Sequence, residues 1–203
     1  MSDNISGKSY YIKVASCQED TDRAGILRLQ NGDDAAFDEI IARYKMPVIN
    51  FVYRMIGDAD EADDVAQEVF VRVYSKCHRF KPGGRHRFST WLFQIARNQA
   101  IDVLRKRQRR PVEFRDFGKD GGHEPVSLVA SADRETEHKE IGDAIARAVS
   151  KLPEKQKTAL ILAEYHNLPH AEIAAVMQCS VKSVESRLAR ARCELRRKLA
   201  WLR

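Results

Sequence analysis

The side chains best suited to touching a polyanion gather toward the C-terminal end. From His170 to Arg192 the chain reads as a short helix, a polar turn at Gln178-Cys179-Ser180 and a longer helix from Val181, a helix-turn-helix pattern. Ile173, Ala174, Met177, Val181 and Val184 are expected to form the apolar knot between the two helices. Lys182, Ser183, Ser186, Arg187 and Arg190 then fall on exposed faces of the second helix, which can enter a major groove. Glu185 and Ser186 lie near its start, where base edges are reached. Glu185 can accept from cytosine N4 or pair with a neighbouring Arg, and Arg190, further along, suits phosphate. Val181 to Arg203 holds eight Lys or Arg against two Glu. The alternative is a plain helical hairpin with a solvated basic face.

Two other groupings stand out. Lys81-Pro82-Gly83-Gly84-Arg85-His86-Arg87 is a loop by its Pro and Gly content, and Trp91 to Arg107 follows as a helix that ends in the basic run Arg105 to Arg110, with Ser89 or Thr90 as its cap. Asn98, Asp102 and Arg105 share a stripe of that helix, and Asp102 can pair with Arg105 or Lys106. Upstream, Asp58, Asp60, Glu61, Asp63, Asp64 and Glu68 crowd the start of a helix expected over 60–80. There Asp60, Asp64 and Gln67 share a face opposite the stripe of Val65, Val69 and Val73, with Glu61 and Glu68 flanking. An acidic face repels phosphate, so a protein partner, or simple solvation, accounts for it better than DNA does.

The elements that must hold these groups are helical almost throughout. Apolar residues recur at three-to-four spacing from about Arg23: Ile26, Leu29, Phe37, Ile40, Ile41, Tyr44, Val48, Phe51 and Val52. Gly32 followed by Asp33 and Asp34 suggests a stop and an N-cap, and Pro47 a bend or restart. Periodicity lapses from Pro111 to about Arg134 and returns at Ile141, Ile145 and Val149. The 203 residues are 43% hydrophobic and 32% charged with a formal net charge of +6, which suits a globular protein with a polyanionic partner. No run is long and apolar enough for a membrane span, and the N-terminus lacks the pattern of a secretory leader, so a cytoplasmic setting is expected. Cys17, Cys77, Cys179 and Cys193 form no Cys-x-x-Cys pair, and no metal or cofactor is expected. There is no Gly-rich phosphate loop and no nucleophile motif, so no catalytic residue is assigned.

Three runs together carry a family resemblance. They are the acidic segment Glu61 to Tyr74 with its Gln67-Glu68-Val69-Phe70, the segment Phe88 to Arg107 containing Trp91-Leu92-Phe93-Gln94-Ile95-Ala96-Arg97-Asn98, and the helix-turn-helix with its downstream Arg190-Ala191-Arg192. In this order they resemble the extracytoplasmic-function (ECF) sigma factors, the small two-domain branch of the bacterial sigma family. The resemblance implies an all-α fold with an N-terminal extension over 1–22, sigma region 2 over 23–110, a flexible linker over 111–136 and sigma region 4 over 137–203, the two regions folding separately. It implies that Asp60, Glu61, Asp64, Gln67 and Glu68 bind core RNA polymerase. It implies that Lys81, Arg85, His86, Arg87, Arg97, Asn98, Arg105 and Lys106 meet the promoter's minus-ten element, with the loop 80–89 capturing a flipped base; Asn98 and Asp102 can instead brace their helix. Lys182, Ser183, Glu185, Ser186, Arg187 and Arg190 are assigned to the minus-thirty-five element. Expected partners are core polymerase, promoter DNA and an anti-sigma factor, with no membrane insertion and a monomer when free. Gln178 stands at a turn position where relatives often carry Gly, which suggests a slightly different turn. A dimeric helix-turn-helix regulator is the competing reading, and it leaves the acidic face and the Trp91-to-Arg107 segment without a role.

Overall fold

A computed structural model describes residues 20–84, 86–109 and 132–202, and the side chains of all of these except 132–140 and 202. Helices account for nearly all of it, and no strand occurs among the described residues. Helix α1 covers 20–30. It is followed by α2 (Ala35–Ile56), α3 (Ala59–Lys76), a 3-10 turn at Cys77–Arg79 and α4 (Phe88–Arg109). Then come α5 (Ala132–Ser150), α6 (Glu154–Glu164), α7 (His170–Met177), α8 (Val181–Lys198) and a second 3-10 turn at Ala200–Leu202.

The first four helices close around Ile26, Ile40, Phe51, Val52, Val69 and Leu92, all fully buried. These are the positions the three-to-four spacing picks out. Several boundaries differ from the sequence expectation. Pro47 lies inside a continuous α2, whose Tyr44, Val48, Phe51 and Val52 are buried on one side; packing of that face holds the helix together across the missing donor. The helix expected over 60–80 ends at Lys76 and tightens into the 3-10 turn. Helix α4 starts at Phe88, so Ser89 and Thr90 lie in its first turn and not at the N-cap position. Asp34 holds the N-cap position of α2 without a side-chain capping bond, because its carboxylate accepts from the Tyr74 hydroxyl at 2.9 Å. Gly57 closes α2 with φ +78, a left-handed conformation that glycine adopts without strain.

Helices α6, α7 and α8 pack around Ile161, Leu162, Ile173, Val184 and Leu188. The α5 side of this unit adds a smaller cluster of Val149, Leu152, Leu160 and Ala191. The regular pattern begins at Ala132, earlier than the expected start near 137.

The two helical units do not stand apart. Their apolar cores merge into one cluster, with α7 against α4 and α6 against α2. Polar contacts seal the seam. The Lys157 ammonium reaches the Met55 carbonyl at 3.4 Å, and the Thr158 hydroxyl lies 3.5 Å from the Met55 sulfur. The Arg54 guanidinium covers the Tyr165 ring at 3.7 Å. The His166 ring sits 4.6 Å from that of Phe93 and 5.9 Å from that of Phe51. Burial lowers the Lys157 pKa and pushes that of His166 down to about 4, the nearby Arg54 charge adding to the effect at His166. Nothing in the helical periodicity announces this seam. The expected linker falls mostly on 110–131, outside the described residues.

Candidate nucleic-acid interface

The helix-turn-helix is built from α7 and α8. Ile173, Ala174, Val176 and Met177 are buried from the first helix, and Val184, Leu188 and Ala191 from the second. Val181, expected in the knot, is 41% exposed. It is the first residue of α8, ahead of the stripe of positions 184, 188 and 191 that faces inward. The turn rests on Gln178, in the left-handed region with φ 52 and ψ 50. Ser180 then caps α8, its hydroxyl oxygen accepting from the Ser183 N–H at 3.2 Å. Lys182, Glu185, Ser186 and Arg190 are exposed along α8, and Ser183 is half-buried.

Arg187 departs from the expectation. Its side chain is half-buried and donates from Nη1 to Cys179 Sγ at 3.1 Å, with Met177 Sδ at 3.9 Å. It braces the turn, whereas Arg190 stays exposed. Glu185 lies 3.9 Å from the His170 imidazole, so neither neighbouring Arg is its partner. Not all the cations downstream are open either: Arg192 pairs with Glu164 at 2.8 Å, and Arg197 and Lys198 both pair with Glu194.

In the first unit the loop after the 3-10 turn exposes Lys81 and His86, while Arg85 lies outside the described residues. Gly83 has φ +82, and the Gly84 N–H donates to the Lys81 carbonyl at 3.0 Å to close a turn. Phe80, Phe88 and Trp91 pack as an aromatic group beneath the loop, Phe80 and Trp91 with centroids 5.2 Å apart. Trp91 is therefore half-buried support. On α4, Asn98, Arg105 and Lys106 are exposed, with Asp102 3.8 Å from Arg105. Arg107, at the same basic end, turns inward onto the Ile56 carbonyl at 2.9 Å and onto Glu61.

That last contact divides the acidic segment. Asp58 caps α3, accepting from the Glu61 N–H at 3.0 Å, and also lies 3.6 Å from Arg107. Glu61 is half-buried on Arg107. Both acids thus tie α3 to α4, which explains part of the excess of carboxylates. Asp60, Asp64, Gln67 and Glu68 stay exposed, Gln67 bonded to Asp63 and Glu68 to Arg72. Next to this face is an apolar groove of about 450 Å³ lined by Phe37, Ile41, Ala66, Phe70, Val71 and Tyr74.

The loop and the helix-turn-helix face each other across a cleft of about 1170 Å³. Its floor is ionic. Glu172 of α7, which the sequence did not single out, pairs with Arg87 at 3.0 Å and accepts from the Thr90 hydroxyl at 3.2 Å. Outside the cleft, on the α4–α6 side of the seam, Arg97, only 14% exposed, meets Glu154 of α6 at 3.4 Å. Two cations expected on DNA are therefore held by carboxylates of the other unit. Among the described residues no group of three His, Cys, Asp or Glu converges as metal ligands would.

Comparison with known proteins accounts for both units. Residues 40–110 match the family model of Sigma-70 region 2, and residues 142–195 that of Sigma-70 region 4. The first match covers the unit that a dimeric helix-turn-helix regulator would leave without a role. The chain is 36% identical over 178 residues to the RNA polymerase sigma-H factor of Pseudomonas aeruginosa, covering 86% of this chain and 91% of that one. It is 33% identical over 180 residues to the ECF RNA polymerase sigma factor SigW of Bacillus subtilis (86% and 94% covered). It is 34% identical over 179 residues to the ECF RNA polymerase sigma-E factor of Escherichia coli K12 (85% and 91% covered). The fold is that of CnrH in its complex with the cytosolic domain of CnrY, with a TM-score of 0.66, 24% identity and 89% and 97% of the two chains covered. With an acidic face on one helical unit, a capped helix-turn-helix on the other and a sigma region matched on each, the chain belongs to the ECF sigma factors of bacterial RNA polymerase.

Proposed function

We propose that this sigma factor engages core polymerase through the exposed face of Asp60, Asp64, Gln67 and Glu68, with the adjoining apolar groove. Lys81, His86, Asn98, Arg105 and Lys106, joined by Arg85, Arg87 and Arg97, serve the minus-ten element. Lys182, Ser183, Glu185, Ser186 and Arg190 serve the minus-thirty-five element, with Arg187 bracing the turn that presents them. The observation that carries this division is the separation of charge: exposed carboxylates on α3 and exposed cations on α8 belong to different units of one chain. The factor works in the cytoplasm and catalyses no reaction. Stacking of a captured base contributes roughly 1–3 kcal/mol, so binding energy drives promoter melting without hydrolysis by this chain. The sigma factor RpoE of Bartonella quintana, which shares the fold, is described in complex with the anti-sigma factor NepR; an anti-sigma partner is proposed here by analogy of fold.

The packed units must also part on a promoter. Elements centred near minus ten and minus thirty-five lie about 25 base pairs apart, roughly 85 Å at 3.4 Å per pair. A chain of this length packed as one body has a radius of gyration of only about 17 Å. Once the seam opens, the 22 residues from 110 to 131 span at most about 75 Å when fully extended, enough with the two units to cover the gap.

Run-off transcription with core polymerase and fragmented genomic DNA tests this reading. Discrete transcripts that depend on the added chain are expected, and the fragments that yield them reveal the promoter. Absence of any chain-dependent start, with core binding intact, would refute promoter recognition.

A further inference from the structure

The region 2 match begins at residue 40, so helix α1 lies outside it. Most of α1 has an evident packing or pairing role. Ile26 and Leu29 are buried in the core, Asp22 takes Arg43 and Tyr44, and Arg28 pairs with Asp33 and Glu39. Gln30 does something else. Its side-chain amide donates both hydrogens to main-chain carbonyls far along the chain, to Cys77 at 2.8 Å and to Phe80 at 2.7 Å. Those carbonyls bracket the 3-10 turn from which the minus-ten loop emerges. The Cys77 carbonyl also accepts the Phe80 N–H at 3.0 Å, so one donor network fixes both the entry and the exit of the turn.

The same helix touches the loop's tip. A Cβ at Gly83 would lie 3.2 Å from the Arg23 guanidinium, so the loop rests directly on α1. Phe80 is thereby held from two sides, its carbonyl by Gln30 and its ring by Phe88 and Trp91. From that fixed residue the chain runs through Lys81 to His86, whose side chains are exposed toward the cleft.

We propose that Gln30 is a positioning residue for promoter recognition: by clamping the Cys77 and Phe80 carbonyls it sets the shape of the loop and so determines which base the loop accepts. The inference rests on the reading of this loop as the minus-ten base site. Removing the clamp leaves the Cys77 carbonyl with the Phe80 N–H and the part-buried Phe80 carbonyl to water, so the fold survives while the loop loses its fixed exit. A glutamate at this position keeps the length but cannot donate, and it sets a charge against two carbonyl oxygens.

Gln30→Ala and Gln30→Glu are tested as full-length chains assembled with core polymerase. Each holoenzyme selects from a randomised pool of short single-stranded DNA, and the bound fraction is sequenced. Enrichment of the preferred base at one minus-ten position is expected to fall at least about fivefold in both variants. Core affinity, minus-thirty-five selection and the thermal midpoint are expected to stay at the parent's values. Parental base enrichment in Gln30→Ala would overturn the proposal. So would a loss accompanied by equal losses in core affinity and thermal midpoint, the signature of a purely structural role. A third chain, with residues 81–87 replaced by glycine and serine, separates the two levels. Lost base preference there, beside intact preference in Gln30→Ala, rejects the role of Gln30 alone. Retained preference there rejects the reading of the loop, and the proposal with it.

Discussion

Single residues decide how α8 is presented. Gln178 holds a left-handed conformation that costs an L-residue with a side chain roughly 1–2 kcal/mol. Gln178→Gly relieves that strain and is expected to raise stability by up to about 1 kcal/mol, net of the greater freedom of glycine in the unfolded chain; a thermal melt measures it. A lower midpoint would mean that the glutamine side chain makes a compensating contact. Two arginines three residues apart separate by partner. Arg190 is exposed, whereas Arg187 is committed to Cys179. Arg190→Ala should reduce the slope of log affinity against log salt by roughly 0.9, one phosphate's worth. Arg187→Ala should lower stability and leave that slope as it was. Titration of minus-thirty-five DNA at several salt concentrations distinguishes them, and equal slope changes would place both on phosphate.

At the scale of elements, α3 combines two tasks on one helix. Its Val65, Val69 and Val73 are buried, while Asp60, Asp64, Gln67 and Glu68 face outward. Asp64→Arg with Gln67→Ala is expected to weaken core polymerase binding at least about tenfold, the order seen for close charge pairs, and to leave minus-thirty-five binding by the full chain unchanged. Competition against another sigma factor measures the first, and undiminished core affinity would move the polymerase face elsewhere. Much of this element was legible beforehand, since the valine stripe fixes which side is wet. Less legible was the division among the acids: Asp58 and Glu61 face Arg107 of α4, a partner some forty-six residues from Glu61 that helical periodicity cannot reveal. Helix ends were hard to place for a similar reason. The Lys76 boundary has no Gly or Pro to mark it, and Pro47 marks a break that packing overrides. Gln30 carried no local signal at all, because its partners are main-chain carbonyls that look alike in any sequence.

At the scale of the whole molecule the seam was the least legible feature, because polar side chains form much of it. Glu154, Lys157, Thr158 and Glu172 each read as solvent-facing when only their own helix is considered, and His166 lies in the connection between α6 and α7, where no periodicity speaks. His166 makes the seam sensitive to acid. Its pKa is about 4 when packed against an ordinary 6.5, so between these values the unfolded chain binds more protons. Stability is then fully present above about pH 6.5 and declines as the pH falls toward 4. The expected loss is about 2 kcal/mol at pH 5 relative to pH 7, read from urea unfolding, and His166→Phe should flatten it; an unchanged profile in that variant would assign the loss to other groups. The carboxylates of the seam have a different consequence. Salt weakens protein–phosphate contacts because each counterion released gains less entropy in a richer bath, but it also screens the Glu172–Arg87 and Glu154–Arg97 pairs that keep the units together. At low ionic strength the two effects oppose, so the log–log plot of promoter affinity should flatten there and steepen only once the seam has opened. Glu172→Gln should straighten it. The protein's own glutamates would thus act as resident counterions, and promoter DNA must displace them just as it displaces ions from solution.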